Sequence, residues 1–429
     1  MASQLTCLED SPSRPPRPGL PVLPAEVLWR ITQFTDANSN IDYRHRVALL
    51  ATCWRDARRK CAQRAQPAWA IPDERVQDTQ NPLSFFPLAN FSCLRHVQCQ
   101  SPAGIAPAVR DLAALASLSR LQSLDFSQCS VGSDFEAVST LTALTSLKFR
   151  NVPRILKCRA RPRSSITSLM PLSPLLSLRV LDLSWTGHDL ITGRKDLAAL
   201  SSLSCLELLQ CSGSPALDLS PLRPLLRLVH LDCSHCLALT DFSALSHFSK
   251  PLLKSLCCCH CPGLKELSAF SPLSALVQVD LSNSCNISDW GPISSMTSLN
   301  RLKLRNCALN DLRPLACLIS LTCLHIDGNS RITDLGPLRG LSSLQQLSFR
   351  ECAGIAGVGP LATLSALVML DCSDCTAITN LAPLGGLTAL ERLYSAGCPA
   401  RWGALPGLDR FSEDFSACWT WASPDDFLS

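Results

Sequence analysis

Residues 228–236 read LVHLDCSHC, and residues 367–375 read LVMLDCSDC. Related segments, all close to the form LxxLxLxxC, lie at 121–129, 203–211, 299–307 and 344–352. Counting along this form gives one aligned residue in each copy: Leu124, Leu147, Leu181, Leu206, Leu231, Leu256, Val279, Leu302, Leu324, Leu347, Leu370 and Leu393. The steps between them are 22 to 25 residues, apart from one step of 34. A period this regular predicts a solenoid.

The letters of one copy predict its local structure. Alternation along a short strand puts the two residues of an LxL motif on one side and their neighbours on the other. One copy cannot bury its apolar side alone, so neighbouring copies stack into a parallel sheet over a shared core. The return segments, such as ITDLGPLRGLSSL at 332–344, carry a proline suited to a first helical position, followed by leucines three apart. They predict short helical or 3-10 turns on the convex side, opposite a concave sheet.

These motifs resemble the leucine-rich-repeat family over residues 84–405, with about twelve or thirteen repeats. The DLxPLxxL return is similar to that of internalins, and the strand-end cysteine resembles that of F-box/leucine-rich-repeat proteins. The resemblance implies an α/β solenoid, a parallel concave sheet and a protein-binding role.

Cysteine is abundant, with 24 in the chain, and it follows the repeat. One set takes the strand-end position where related repeats place Asn or Cys: Cys129, Cys211, Cys236, Cys261, Cys307, Cys352, Cys375 and Cys398, with Asn329 once. Cysteines at the second inward position then create three CxxC pairs, beginning at Cys233, Cys258 and Cys372. A zinc site is the alternative, since His235 and His260 lie nearby. The period explains the spacing without metal, so we expect reduced thiols, no metal and no cofactor.

A helical module is predicted at 21–70, between a Pro/Ser/Arg leader at 1–20 and a linker at 71–83. It resembles an F-box, through LPAEVLWRI at 23–31, TCWRDAR at 52–58 and a trailing Trp69. The resemblance implies docking onto the Skp-type linker subunit of a cullin-RING ubiquitin ligase. The implied docking residues are Leu23, Pro24, Val27, Leu28, Ile31 and Trp54. The alternative is a helical cap that covers the first repeat.

The outward strand positions predict the surface for an unknown target protein. Counting from the aligned leucines gives three consecutive acids, then a basic patch, with aromatic and apolar anchors beside the acids. A basic peptide or domain is the hypothesis, and ordinary solvated surface is the alternative. The predicted partner-binding residues are Asp182, Trp185, Glu207, Leu209, Asp232, His235, His260, Arg301, Lys303 and Arg305.

Composition and short motifs limit the possible partners, location and activity of the protein. The net charge of +4 is small for 429 residues and does not favour nucleic acid. Apolar stretches are shorter than the roughly 20 residues that span a bilayer, and the leader lacks an apolar signal region. Catalytic motifs are absent from suitable positions. We therefore expect a non-catalytic, cytoplasmic or nuclear protein without membrane partners, either a ubiquitin-ligase adaptor or a scaffold unconnected to ubiquitin. Residues 406–429 are predicted to form a C-terminal cap or tail, and the basic loop at 153–168 has no assigned role.

Overall fold

The computed structural model describes residues 95–98, 108–110, 112–127, 130–131, 135–150, 168–185, 196–214, 217–248 and 252–400. It also describes short strands at 68–70, 83–84 and 409–410. Several predicted features lie outside the described residues: the F-box-like module with Leu23, Pro24, Val27, Leu28, Ile31 and Trp54, most of the basic loop, and Cys129.

Within these ranges, fifteen strands form one parallel sheet in chain order. Their bounds are Ala68–Ala70, His96–Gln98, Ser123–Asp125, Ser146–Lys148, Val180–Asp182, Leu208–Gln210, His230–Asp232, Ser255–Cys257, Gln278–Asp280, Arg301–Lys303, Cys323–His325, Gln346–Ser348, Met369–Asp371, Arg392–Tyr394 and Asp409–Arg410. A second, three-stranded sheet pairs Leu83–Ser84, Ala108–Arg110 and Ser130–Val131. The predicted parallel solenoid is confirmed. The sheet reaches beyond the predicted limits of 84 and 405, and the strand around Trp69 belongs to it.

Short 3-10 helices make the return half of each turn. Their bounds are Leu112–Ser117, Phe135–Thr140, Met170–Leu172, Asp196–Ser202, Ser220–Leu222, Ser243–Phe248, Ser268–Phe270, Gly291–Ser295, Arg313–Leu315, Gly336–Gly340, Gly359–Thr363 and Ala382–Gly386. In the DLxPL segments an aspartate caps the start: Asp334 accepts a hydrogen bond from the Gly336 amide at 2.7 Å. Proline then follows within the first turn of the helix, where its missing N–H costs nothing.

The core is one continuous cluster between the sheet and the 3-10 helices. In the main sheet, the central residue of each strand from His96–Gln98 to Arg392–Tyr394 is buried, as are the return leucines such as Leu335, Leu338 and Leu341. Each fully buried leucine contributes about 2 kcal/mol from removal of its apolar surface from water. Because each turn packs on its neighbours, this core fixes which strand residues face away from it.

Candidate functional site

The candidate site is the concave face, meaning the strand side chains that point away from the core. In each strand, the residue that follows the buried central residue belongs to this face. Strand pairing places these residues side by side in one column. From Asp182 onward the column reads Asp182, Gln210, Asp232, Cys257, Asp280, Lys303, His325, Ser348, Asp371 and Tyr394.

Two sequence-predicted site residues do not belong to this face. In the structure Leu209, not Leu206, pairs with Leu181 and Leu231 at the centre of its strand. The register is therefore three residues later than predicted, and Leu209 is fully buried in the core. Gln210 takes the column position predicted for Glu207, so the column does not contain three consecutive acids.

Glu207 lies before its strand instead. Its amide donates to the carbonyl of Arg179, and its carboxylate forms an ion pair with the Arg179 guanidinium at 2.7 Å. The Arg179 side chain is half exposed, so solvent weakens this pair. Glu207 thus joins two neighbouring turns and does not belong to the strand column.

The column aspartates have a structural role as well. Oδ1 of Asp182 accepts a hydrogen bond from the amide of Ser184, and Oδ1 of Asp232 accepts one from the amide of Ser234, both at 2.9 Å. The aspartate thereby satisfies an amide as the chain leaves the strand. Asp182 is only 3% exposed, and burial raises its pKa. Asp182 is therefore a buried cap, whereas Asp232 is only half-buried.

The basic patch is partly neutralised within the chain. Arg301, Lys303 and Arg305 occupy one strand and its exit, all half-buried on the concave face. Arg305 Nε lies 2.8 Å from Oδ2 of Asp327. Burial alone would raise the Asp327 pKa, but hydrogen bonds from His325 and Ser348 and the charge of Arg305 lower it. Arg305 is therefore held in place by Asp327.

An edge row of residues with left-handed backbone borders the concave face. It reads Trp185, Gly213, His235, His260, Asn283, Asn306, Gly328, Glu351, Asp374 and Gly397, with φ between 50° and 74°. This conformation is uncommon outside glycine, so a tight exit turn recurs at this position in each of these repeats.

The first part of the edge row brings three sequence-predicted residues together. The rings of His235 and His260 stack with centroids 4.2 Å apart, and the Trp185 ring lies 4.9 Å from His235. Gly213, in the exit turn of the repeat between them, permits this contact, because a Cβ there would lie 2.5 Å from the Trp185 ring. Burial and the neighbouring His260 lower the His235 pKa. Trp185 and His235 are half-buried and His260 is exposed, so this aromatic cluster is accessible.

The strand-end cysteines form a hydrogen-bond ladder between turns. The thiol of Cys352 donates to the carbonyl of Ile326, and the thiol of Cys375 to the carbonyl of Phe349, at 3.3 and 3.1 Å. Asn329 makes the same link to Leu304 at 2.7 Å. Cys236, Cys261, Cys307 and Cys398, together with Ser284, take the same role. Cys211 was predicted in this set, but the shifted register makes it a second inward residue, and Ser214 takes the ladder position.

Buried thiols of this ladder such as those of Cys307 and Cys352 are protonated donors. Burial raises the pKa of Cys307 and of Cys352 to about 12. The cysteines in the described ranges are free thiols, and no group of three or more His, Cys, Asp or Glu residues there could hold a metal ion. Zinc needs thiolates, whereas a thiol that donates to a carbonyl keeps its proton.

We expect purified protein to contain far less than one zinc per chain and to keep its melting temperature in excess chelator. A structural zinc site contributes about 10 kcal/mol or more to folding, so its removal would be obvious. Elemental analysis by mass spectrometry and thermal unfolding with and without EDTA give the two measurements. Stoichiometric zinc, together with a large drop in melting temperature on chelation, would contradict the hydrogen-bond role of the thiols.

No helix within the described residues is both long and apolar enough to cross a membrane. Comparison with protein-family models finds no match, and comparison with curated protein sequences finds none.

Comparison with solved structures does find similar chains. The internalin InlF from Listeria monocytogenes is 26% identical, with a TM-score of 0.55 over 68% of this chain and 77% of that one. The functional domain of InlJ from the same organism, which includes a cysteine ladder, is 20% identical, with a TM-score of 0.51 over 73% of this chain and 65% of that one. A leucine-rich-repeat protein from Leptospira interrogans is 16% identical, with a TM-score of 0.54 over 73% of this chain and 75% of that one. With the parallel sheet and its ladder, these likenesses identify the described part of the chain as a leucine-rich-repeat solenoid similar to the internalins.

Proposed function

We propose that this chain is a non-catalytic adaptor that holds a target protein on its concave face. The supporting observation is the separation of roles along each strand. Central residues are buried in a continuous core, whereas the flanking positions present carboxylates and guanidinium groups in aligned columns and the edge row presents the aromatic cluster. A rigid sheet that carries such columns suits recognition of an extended protein surface.

The finer proposal is that the adaptor serves an intracellular SCF-type ubiquitin ligase as its substrate-recognition subunit. Support comes from the sequence resemblance of residues 21–70 to an F-box and from its position ahead of the repeats. Leu23, Pro24, Val27, Leu28, Ile31 and Trp54 are the residues proposed to contact the Skp-type linker subunit. The alternative remains a scaffold without any ubiquitin partner.

A co-purification experiment tests this proposal. We expect the full chain, co-expressed with a Skp-type subunit, to retain that subunit, and the double variant Leu28→Asp/Ile31→Asp to lose it. Two charges in an apolar contact surface remove its binding energy and leave carboxylates buried without partners.

The matched control makes the same chemical change on the solenoid surface. Leu237 and Ile319 are 67% and 60% exposed, so Leu237→Asp/Ile319→Asp should bind the Skp-type subunit like the original chain. Circular dichroism checks that both double variants keep the folded repeats. If the original chain fails to retain the subunit, or if Leu28→Asp/Ile31→Asp retains it equally, the ligase role is wrong and the scaffold alternative stands.

A further inference from the structure

Three neighbouring strands place a compact polar patch on the concave face. Register pairing puts His230, Ser255 and Gln278 in one row and Asp232, Cys257 and Asp280 in the next. Within each strand the two residues flank a buried central residue, so they share the face that points away from the core. We call these six residues the polar patch.

The carboxylates of the polar patch differ from those in later repeats. Oδ1 of Asp280 accepts a hydrogen bond from the amide of Ser282 at 3.0 Å, the same cap that Asp232 makes. Among the ion pairs of the described residues, none includes Asp232 or Asp280. Both side chains are half-buried, so their charges are only partly screened by water.

Later repeats supply guanidinium groups to the same face. Arg305 pairs with Asp327 at 2.8 Å, and Arg350 lies 3.9 Å from Asp371. Arg305 and Arg350 each lie two residues after the column residue of their repeat, which is Lys303 or Ser348. In the repeats of the polar patch that position carries Ser234, Cys259 and Ser282. The repeats of the polar patch thus carry no arginine at that position, although Arg301 of the next strand pairs in register with Gln278.

Buried polar atoms beside the carboxylates are also unpaired. Gln278 is 1% exposed, and neither its Oε1 nor its Nε2 has a hydrogen-bond partner among the described residues. His230 is 2% exposed; its Nδ1 lies 2.8 Å from Oγ of Ser255, and its Nε2 has no partner in the same ranges. Buried polar groups normally make hydrogen bonds, so these atoms keep the capacity to bond a further polar group.

We propose that the polar patch binds an arginine side chain of the protein partner. A guanidinium carries five N–H donors, no acceptor and a permanent positive charge. The patch offers mainly acceptors: the free carboxylate oxygens of Asp232 and Asp280 and Oε1 of Gln278. The guanidinium lies over Cys257, between the two carboxylates, and a main-chain carbonyl of the same segment accepts from Nε2 of Gln278. Lys303 neighbours Asp280 on its far side, so the field is most negative towards Asp232.

This inference rests on the proposed use of the concave face for a protein partner and moves the point of contact. The sequence placed a basic peptide over Asp182, Glu207 and Asp232. The structure keeps Asp232 and shifts the contact by two strands to Asp280, because Asp182 is buried and Glu207 is already paired with Arg179.

Titration with a synthetic peptide tests the proposal. The probe is acetyl-Gly-Ser-Gly-Arg-Gly-Ser-Gly-amide, added to the full chain labelled with 15N at glutamine side chains. The Gln278 side-chain amide signal is assigned by its absence in Gln278→Met. Two further peptides carry lysine or citrulline in place of arginine, and citrulline keeps the shape without the charge. We expect saturable shifts of the Gln278 signal with arginine and at least about tenfold weaker binding of the other two peptides.

Variants separate binding from stability. Asp232→Asn/Asp280→Asn keeps an acceptor oxygen for the serine amides and should weaken arginine binding by about tenfold or more. Asp125→Asn, which changes an equivalent cap to Ser127, is the matched control and should bind the peptide unchanged. Gln278→Met should raise the melting temperature, because it removes buried unpaired atoms.

Three results would overturn the proposal: equal binding of the citrulline or lysine peptide, no binding of the arginine peptide, or a lower melting temperature of Gln278→Met. The last would show that the amide has a structural partner in the chain. None of these experiments uses the Skp-type subunit, so this inference and the ligase role fail independently.

Discussion

Replacement of Asn329 by alanine is expected to lower the free energy of unfolding by about 4 kcal/mol. Its side chain is buried and makes more hydrogen bonds than the other ladder side chains in the described ranges. Oδ1 accepts from the amides of Cys307 and Leu309 at 3.0 and 2.9 Å. Nδ2 donates to the carbonyls of Leu304 and Ile326, both at 2.7 Å. Alanine leaves two amides and two carbonyls without this partner, and each buried group left unsatisfied costs about 1 kcal/mol or more.

Urea unfolding followed by circular dichroism measures the total loss for Asn329→Ala. Hydrogen exchange at the amides of Cys307 and Leu309 measures the loss of local stability at these two sites. This measurement does not require all repeats to unfold in one step. Asn329→Cys introduces the commonest ladder residue, which keeps a hydrogen-bond donor but loses the amide oxygen as acceptor. This variant should therefore lose less stability than Asn329→Ala. Asn310, which is exposed, gives the control Asn310→Ala. Equal stability of Asn329→Ala and Asn310→Ala would contradict the ladder role.

Gly354→Ala is expected to destabilise the solenoid by about 3 kcal/mol, near the upper end for a substitution that overpacks a core. A Cβ at this position would lie 2.5 Å from the carbonyl oxygens of both Ser330 and Ile332, which belong to the preceding turn. Backbone atoms cannot move as a flexible side chain can, so the two turns must separate. Thermal and urea unfolding measure the effect.

The same loop contains a matched control for Gly354→Ala. A Cβ at Gly357 would meet no heavy atom within 4 Å. Gly357→Ala should therefore be neutral or stabilise the chain by about 0.5 kcal/mol, because alanine reduces the freedom of the unfolded chain. Similar losses for the two variants would show that backbone approach between turns is not what requires glycine at 354.

Sequence periodicity predicted the solenoid because the core is periodic: every turn must bury the same positions against its neighbours. The periodicity predicted the wrong strand register at LSCLELLQC, because the adjacent leucines at 208 and 209 allow the strand motif to be aligned in two ways. The return segment carries the signal that decides between them. Asp289, Asp311 and Asp334 each precede the next central strand residue by 13 positions, and Asp196 stands at the same spacing from Leu209.

The candidate site was less predictable than the fold. The aromatic cluster was expected beside the acidic residues, and the structure brings Trp185, His235 and His260 together. Its contact depends on the missing side chain at Gly213, one strand away, which no pattern within a single repeat reveals. The pairing of Arg305 with Asp327 and the unpaired amide of Gln278 also depend on neighbouring strands. Such cross-strand relations need the correct register before they can be read.

The cysteine ladder has a mechanical consequence. Each ladder bond joins a turn to the preceding turn, and strand pairing in the main sheet likewise joins neighbours only. A force applied to the two ends of the main sheet therefore acts on a series of similar links, which can yield one turn at a time. A turn of about 23 residues that occupies about 5 Å along the stack extends to roughly 75 Å of free chain. The molecule would lengthen in steps of one turn and act as a tether that releases slack under load.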